Sequence, residues 1–342
     1  MKKIFTVLSM CCAMATLTVC SCSSSDDDES VNEKVALILP DGATVSRWTL
    51  DAQYLTKSLK SYGYDVQLFT ASENNEGAAK QVKQIEEAVK AGYQTIVITP
   101  VDYEKINESG ILEANQDCNF ICYDRMIMNN PAVDFYASCD PEKIGEMQAQ
   151  FLLEKADGDM TIEYFAGPVT DKNAKKYFDS AYRLLSANKS LSVPSGKVAY
   201  EDVALASWSS DDAFAEMSAR LEGTNVMPDL ILAPNDNVAE GVIKALEARW
   251  LGINEFPVIT GQDLTEAAIA NILARKQTMS IYKEYEDLAE TTAMIVSSFI
   301  SGKPVVTGKT FNNGAKEVPA KYSNFTLVTI DNIGNYITNP GR

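Results

Sequence analysis

Short apolar runs recur along the whole chain, separated by longer stretches of mixed polarity. The runs are Val35–Leu39, Asp65–Thr70, Thr95–Thr99, Asn119–Tyr123, Asp134–Ser138, Thr161–Phe165, Lys197–Tyr200, Leu230–Ala233, Val258–Thr260, Thr278–Tyr282 and Phe325–Val328. Most are continuously apolar rather than alternating, which is the pattern of parallel strands covered on both faces. The stretches between them carry helical periodicity. Ala78–Ala91 sets Val82, Ile85, Ala88 and Val89 on one face, and Tyr285–Ile300 sets Leu288, Thr292, Ile295 and Phe299 on one face, with Thr292 the only polar member of that stripe. No solenoid period is present. The pattern predicts an α/β protein, and two successive doubly wound sheets account for the strand count better than one.

Composition narrows the function. The chain has 342 residues, 46% of them hydrophobic, enough to bury the cores of two domains. Lys and Arg number 30 against 47 Asp and Glu, a net charge of −17. That acidity opposes nucleic acid or an anionic membrane surface as a partner, since both require a basic footprint. Histidine is absent. Ser-His-Asp and Cys-His catalysis and His-ligated metal sites are therefore excluded. Neither a Gly-x-Gly-x-x-Gly nor a Gly-x-x-x-x-Gly-Lys-Ser/Thr run occurs, so no cofactor is expected. A two-carboxylate glycosidase is not excluded by counting acids, but no pair is located by the sequence.

The N-terminus reads as a targeting segment. Lys2 and Lys3 precede a short apolar stretch, Ile4 to Leu17, too short to span a bilayer. Val19-Cys20-Ser21-Cys22 and the acidic run Ser23 to Glu29 follow. This resembles a bacterial lipoprotein signal in which Cys22, preceded by the small Ser21, becomes lipidated; an ordinary cleaved signal peptide is the alternative. Residues 1–21 would then be removed, leaving 28 basic against 47 acidic residues and a charge of −19. Residues 22–32 are expected to form a flexible acidic tether; such a run also resembles the surface-export tag of some double-membraned bacteria. Of seven cysteines, only Cys118, Cys122 and Cys139 belong to the body. Cys118 and Cys122 flank one predicted strand and are too far apart to bridge, a Cys122–Cys139 bridge stays open, and buried free thiols are the default expectation.

Two segments carry the candidate chemistry. Ser46-Arg47-Trp48 follows the run ending at Pro40, and Tyr123-Asp124-Arg125 follows the run ending at Cys122. Ligands of open α/β sheets bind outside the carboxyl ends of the strands. An aromatic face, two guanidinium forks and a carboxylate converging there suit a neutral, polyhydroxylated ligand.

Together with Val133-Asp134-Phe135-Tyr136-Ala137-Ser138, Asp171-Lys172-Asn173-Ala174, Ala233-Pro234-Asn235-Asp236, Gly261-Gln262-Asp263 and Ser280-Ile281-Tyr282-Lys283, these segments give the chain a family resemblance from about Val35 to Ile337. It resembles the periplasmic sugar-binding proteins, in the xylose and multiple-sugar branch that serves ABC transporters or sugar receptors. The resemblance implies a type I periplasmic binding protein: two doubly wound Rossmann-like lobes joined by a three-stranded hinge, with the sugar in the cleft between. The implied lobes are 33–139 plus 284–318 and 140–283 plus 319–342, with Asp140-Pro141-Glu142 opening a helix at the first crossing.

The implied ligand set is Arg47, Trp48, Asp124, Arg125, Asn173, Trp208, Asp236 and Lys283, with Gln262 and Asp263 beside them. Trp48 and Trp208 would be stacking platforms. Plainer roles compete: a helix-start salt bridge and a surface cap for Arg47 and Trp48, an internal ion pair for Asp124 and Arg125, and helix capping for Asn173, Asp236 and Asp263. Trp250 is assigned to the core. The chain departs from the family pattern at Lys172, Lys175 and Lys176, which would admit an acidic sugar, at Cys122 and Cys139, and in Asp41–Val45, which lacks a lysine. Phe178 is expected to reach the cleft.

The implied protein is a non-enzymatic monomer of the cell envelope, held to the membrane only through its lipid. Its partners are a monosaccharide and an ABC transporter permease, or alternatively a membrane sensor kinase. A sugar-responsive repressor would need a basic helix-turn-helix in residues 1–60, where this chain has a signal and an acidic tether.

Overall fold

The structure is a computed structural model that describes residues 33–337. The expected signal segment, Cys22 and the acidic tether lie outside the described residues. In chain order the elements are β1 (Lys34–Pro40), α1 (Arg47–Ser61), β2 (Asp65–Ala71), α2 (Asn75–Lys90), β3 (Thr95–Ile98), α3 (Tyr103–Ser109), β4 (Asn119–Tyr123), β5 (Val133–Cys139) and α4 (Pro141–Lys155). There follow β6 (Met160–Tyr164), α5 (Lys172–Leu185), β7 (Leu191–Ser192), α6 (Tyr200–Val203), α7 (Ser210–Thr224), β8 (Leu230–Leu232), α8 (Asp236–Arg249), β9 (Val258–Ile259) and α9 (Glu266–Leu273). The chain closes with β10 (Met279–Lys283), α10 (Tyr285–Ile300), β11 (Lys309–Asn312), β12 (Glu317–Ser323), β13 (Phe325–Thr329) and α11 (Gly334–Ile337). No described helix is long and apolar enough to cross a membrane.

The first sheet has the order β11-β12-β5-β4-β3-β1-β2, parallel except for the β11–β12 pair. Alternate residues of β1 serve opposite faces. Val35, Leu37 and Leu39 pack with Leu55, Leu59, Leu288 and Val296, whereas Ala36 and Ile38 pack with Ile85, Ala88 and Ile106. Both faces are covered by helices, which is why the run reads as continuously apolar. The second sheet, β7-β6-β8-β9, is also parallel. A bridge between Gln262 and Ile281 brings β10, with its antiparallel partner β13, alongside it.

Strand-end loops start the helices through side-chain caps. Asn74, Asp171, Asn235 and Thr265 accept from the backbone N–H groups of Gly77, Asn173, Val238 and Ala268 at 2.8, 2.9, 3.0 and 3.1 Å. Asp140 caps α4, with Pro141 in its first turn. A cap of this kind stabilises by about 1 kcal/mol. Thr292, the polar member of the α10 stripe, donates to the Leu288 carbonyl at 2.8 Å, so its hydroxyl is satisfied within the helix.

One expected strand is corrected, and three others escape the apolar pattern. Lys197–Tyr200 is not a strand: Lys197 reaches out to Glu216 at 2.6 Å, and Tyr200 opens α6 with its ring in a hydrophobic cluster, so the apolar signal there reports packing. The two-residue β7 was too short to register. β11 and β12 were missed because they alternate with charged and polar residues; in β12 only Val318, Ala320 and Ser323 are fully buried. β12 stays with the first sheet to Ser323, and the chain leaves it immediately afterwards.

The chain passes between the sheets at Asp140, at Glu284 and at Asn324, and the three passages run side by side. Cys139 is in register with Ser323, Lys283 with Phe325, and Glu284 N–H donates to the Asn324 carbonyl at 3.2 Å. Cys122 and Cys139 are both buried free thiols, and burial pushes each up to about 12. Cys118 is also free.

Candidate ligand-binding cleft

The carboxyl ends of the strands in both sheets face one another across a seam, and the candidate residues meet there. Arg47 and Trp48 are the first two residues of α1, both buried. Arg47 donates from Nε to Asp51 at 2.9 Å, from Nη1 and Nη2 to Asp124 Oδ1 at 3.1 Å each, and from Nη1 to Asp263 at 3.3 Å. Lys283 Nζ, at the end of β10, donates to the same Asp124 oxygen at 3.2 Å. Arg125 is paired with Glu73 at 2.6 Å and with Asp171 at 2.9 Å. Both guanidiniums lie against the Trp48 ring, at 4.4 Å for Arg47 and 5.0 Å for Arg125.

Asp124 is set by its backbone. Its φ is +61°, a left-handed conformation that Asp tolerates better than most residues. Its carbonyl accepts from Tyr136 Oη at 2.7 Å, Ser138 Oγ at 3.0 Å and Asn173 Nδ2 at 2.6 Å. Burial alone would raise this carboxyl, but the charges of Arg47, Lys283 and Arg125 outweigh it and hold the group well below the usual carboxylate range. Asp263 and Leu264 also have positive φ, +97° and +53°. Strain of this kind persists only where the surroundings impose it.

Val45, Asp171, Tyr177 and Asn235, together with Arg47, Trp48, Asp124, Arg125, Trp208, Gln262, Asp263 and Lys283, enclose a free volume of about 20 Å³. That is room for about one water molecule. Three cations and three carboxylates line it, so the wall is charge-balanced. Among the described residues, the buried Trp208 Nε1 and Gln262 Oε1 have no hydrogen-bond partner. A buried donor and acceptor left open beside a polar cavity are the groups a ligand would satisfy.

Residues 35–304 match the periplasmic binding protein domain. The chain belongs to the periplasmic binding protein family. It is 31% identical to the multiple sugar-binding periplasmic receptor ChvE of Rhizobium radiobacter, over 84% of each chain. It is 32% identical to the D-xylose-binding periplasmic protein of Escherichia coli (strain K12), over 88% of each. Among solved structures, an ABC transporter solute binding protein from Clostridium phytofermentans with bound β-D-glucose is 32% identical, with a TM-score of 0.83 over 90% of this chain and 97% of that one. The two-lobed α/β architecture is therefore that of a type I periplasmic binding protein.

Of the ten residues singled out in the sequence of this binding protein, eight line the cavity. Asn173 and Asp236 stand one layer back. Asn173 holds the Asp124 carbonyl, and its neighbour Asp171, not Asn173, caps α5. Asp236 follows the cap Asn235 and accepts from Thr265 N–H at 2.9 Å, Gln277 Nε2 at 2.8 Å and Ser280 Oγ at 2.8 Å. It thereby ties the Gln262–Thr265 loop to β10. Asp263 does not cap α9, since Thr265 does. Trp208 is 5% exposed and packed in a hydrophobic core with Tyr177, Leu205 and Ala213. Trp250 is only partly buried against that core.

Phe178 packs on Tyr164, Tyr182 and Tyr200, away from the lining. The three lysines of α5 do not reach the cavity. Lys172 lies over the Tyr103 ring, Lys175 pairs with Asp179 and Lys176 with Glu142. Asp171, Tyr177 and Asn235 were missed, although Asp171 and Asn235 sit within the quoted motifs. Tyr177 gave no signal beyond the apolar face of its helix.

Two predictions follow from these contacts. A Cβ on Gly167 would collide with the six-membered ring of Trp208. Gly167→Ala should therefore displace that indole, costing about 1–3 kcal/mol of stability as an overpacked site. It should shift tryptophan emission and weaken sugar binding by roughly tenfold in a calorimetric titration. Unchanged emission would show that Trp208 is not held where the structure places it.

The second concerns pH. Burial first, then the charge of Asp263, pushes the Asp236 carboxyl up to about 7, against the opposing effect of its three donors. Its unfolded value is roughly 3.9, so the folded protein keeps this proton longer. The stability penalty of ionising Asp236 grows between about pH 4 and pH 7 and is complete above that. Urea midpoints measured across pH 4.5–7.5 should decline less steeply in Asp236→Asn than in wild type. Equal slopes would mean that Asp236 is already ionised throughout.

Proposed function

We propose that this chain is an extracytoplasmic receptor for a neutral aldose, such as glucose, xylose or galactose, which it delivers to an ABC transporter. The carrying observation is the charge-balanced cavity at the seam. Its three cations are already paired, with Asp51 and Glu73 behind the wall adding to the three lining carboxylates, so an anionic ligand meets no free cation, while a polyol can both donate to Asp124, Asp171 and Asp263 and accept from Arg47, Arg125 and Lys283. Two indoles in the same wall supply apolar faces for the C–H side of a pyranose. The relatives named for sugars and the neighbour with bound β-D-glucose support the same ligand class. With no lysine of α5 in the lining, an acidic sugar has no support.

A pyranose is many times larger than the free volume. Entry requires the two lobes to part, and a ligand touching both then favours closure. The three side-by-side passages at Asp140, Glu284 and Asn324 are suited to absorb such a rotation. Lipid attachment at Cys22 would keep the receptor at the membrane that holds the permease.

D-glucose, D-xylose and D-galactose titrated into the purified protein should give micromolar or tighter binding to at least one. Asp124→Asn keeps a residue that tolerates positive φ but removes the charge shared by Arg47 and Lys283, and should weaken binding by about 2–4 kcal/mol. Heat from none of the three at millimolar concentration would overturn the proposal.

Lobe closure has its own measurement. Small-angle scattering should show the radius of gyration falling when the bound sugar saturates the protein. An identical value with and without sugar would mean that the seam admits its ligand without lobe motion.

A further inference from the structure

Arg47 is held from behind by groups that do not line the cavity. Its Nε donates to Asp51 Oδ2 at 2.9 Å, one turn further along the same helix. The other oxygen of Asp51 accepts from the Tyr123 hydroxyl. Asp51 and Tyr123 are fully buried, and neither belongs to the cavity wall. Tyr123 is the last residue of β4 and immediately precedes Asp124. One strand end therefore supplies both the carboxylate in the cavity and the brace behind its main cationic partner.

We propose that Asp51, locked by Tyr123, is a positioning residue that presets the Arg47 guanidinium for the ligand. With Nε committed to Asp51, only the Nη1 and Nη2 edge remains to face the cavity, and the planar group is fixed above Trp48 and beside Tyr285. The brace lies wholly within the first lobe, on α1 and β4. Asp263, the third carboxylate on Arg47, comes from the loop after β9 in the second lobe. When the lobes part, Asp263 leaves and Asp51 stays, so Arg47 keeps its orientation in the open form. A fork already aimed loses less freedom on binding, and that raises affinity.

The inference rests on the monosaccharide proposal for its affinity measurement but has an independent readout. In wild type the Arg47 Nε–H proton should give a resolved, slowly exchanging signal in a nitrogen–proton spectrum, with or without sugar, and Asp51→Asn should abolish or shift it. For whichever of D-glucose, D-xylose and D-galactose the wild type binds, Asp51→Asn should weaken binding by 10- to 100-fold and Tyr123→Phe by several-fold. The effect should pass through Arg47. The double variant Arg47→Lys/Asp51→Asn should bind no more weakly than Arg47→Lys alone.

A folded Asp51→Asn protein within twofold of wild-type affinity overturns the proposal, as does full additivity of the two substitutions. If Asp51→Asn does not fold, Tyr123→Phe decides, and wild-type affinity in that variant overturns it. If the wild type binds none of D-glucose, D-xylose and D-galactose, the monosaccharide proposal has failed, and an Arg47 Nε–H signal unchanged by Asp51→Asn or Tyr123→Phe separately overturns this one.

Discussion

The arrangement of the cleft depends on the carboxylate of Asp124. One of its oxygens takes three donor contacts, from both Nη atoms of Arg47 and from Lys283 Nζ. Its backbone is held in a left-handed conformation by three donors on its carbonyl. A carboxylate this deeply buried would ordinarily take up a proton. Here the surrounding cations keep it charged, and it in turn keeps them compensated. Removing any one of these charges strands the others, which makes the group a single electrostatic unit rather than a set of separable pairs.

That unit spans the seam. Arg47 on α1 and Asp124 after β4 belong to the first lobe, Asp263 follows β9, and Lys283 ends β10 at a passage between lobes. Arg125 makes a second bridge, between Glu73 on one side and Asp171 on the other. Interactions between fixed charges at close range are directional and short, so small rotations of one lobe weaken several at once. A polyol has both donors and acceptors and is suited to replace contacts of either polarity. A site built of mutually paired charges can thus be both satisfied by itself and responsive to a neutral ligand.

The strand-end loops carry two duties at once. Asp171 and Asn235 cap α5 and α8 and also line the cavity. Helix capping requires a short polar side chain immediately after a strand, and the cleft requires polar side chains in the same place. The doubly wound topology makes the two requirements coincide. Asp236 and Asn173, one layer back, show the other side of this economy: they fix the loops on which the lining residues ride.

The sequence by itself determined the alternation of strand and helix, the parallel character of the sheets, the charge and histidine count that removed whole classes of chemistry, and eight of the residues that line the cleft. These were legible because burial on both faces leaves continuous apolar runs, and because a strand's carboxyl end has a fixed place in this topology. The tertiary structure decided what no local pattern encodes. It put Tyr177 in the wall and Asp236 behind it, turned the α5 lysines away from the cavity, and added β11 and β12, whose alternating faces only the completed sheet explains. It also coupled Asp51 and Tyr123, which lie far apart in the chain, to one guanidinium. Side-chain direction across a seam depends on how two lobes pack, and that is a property of long-range contacts rather than of any run of neighbouring residues.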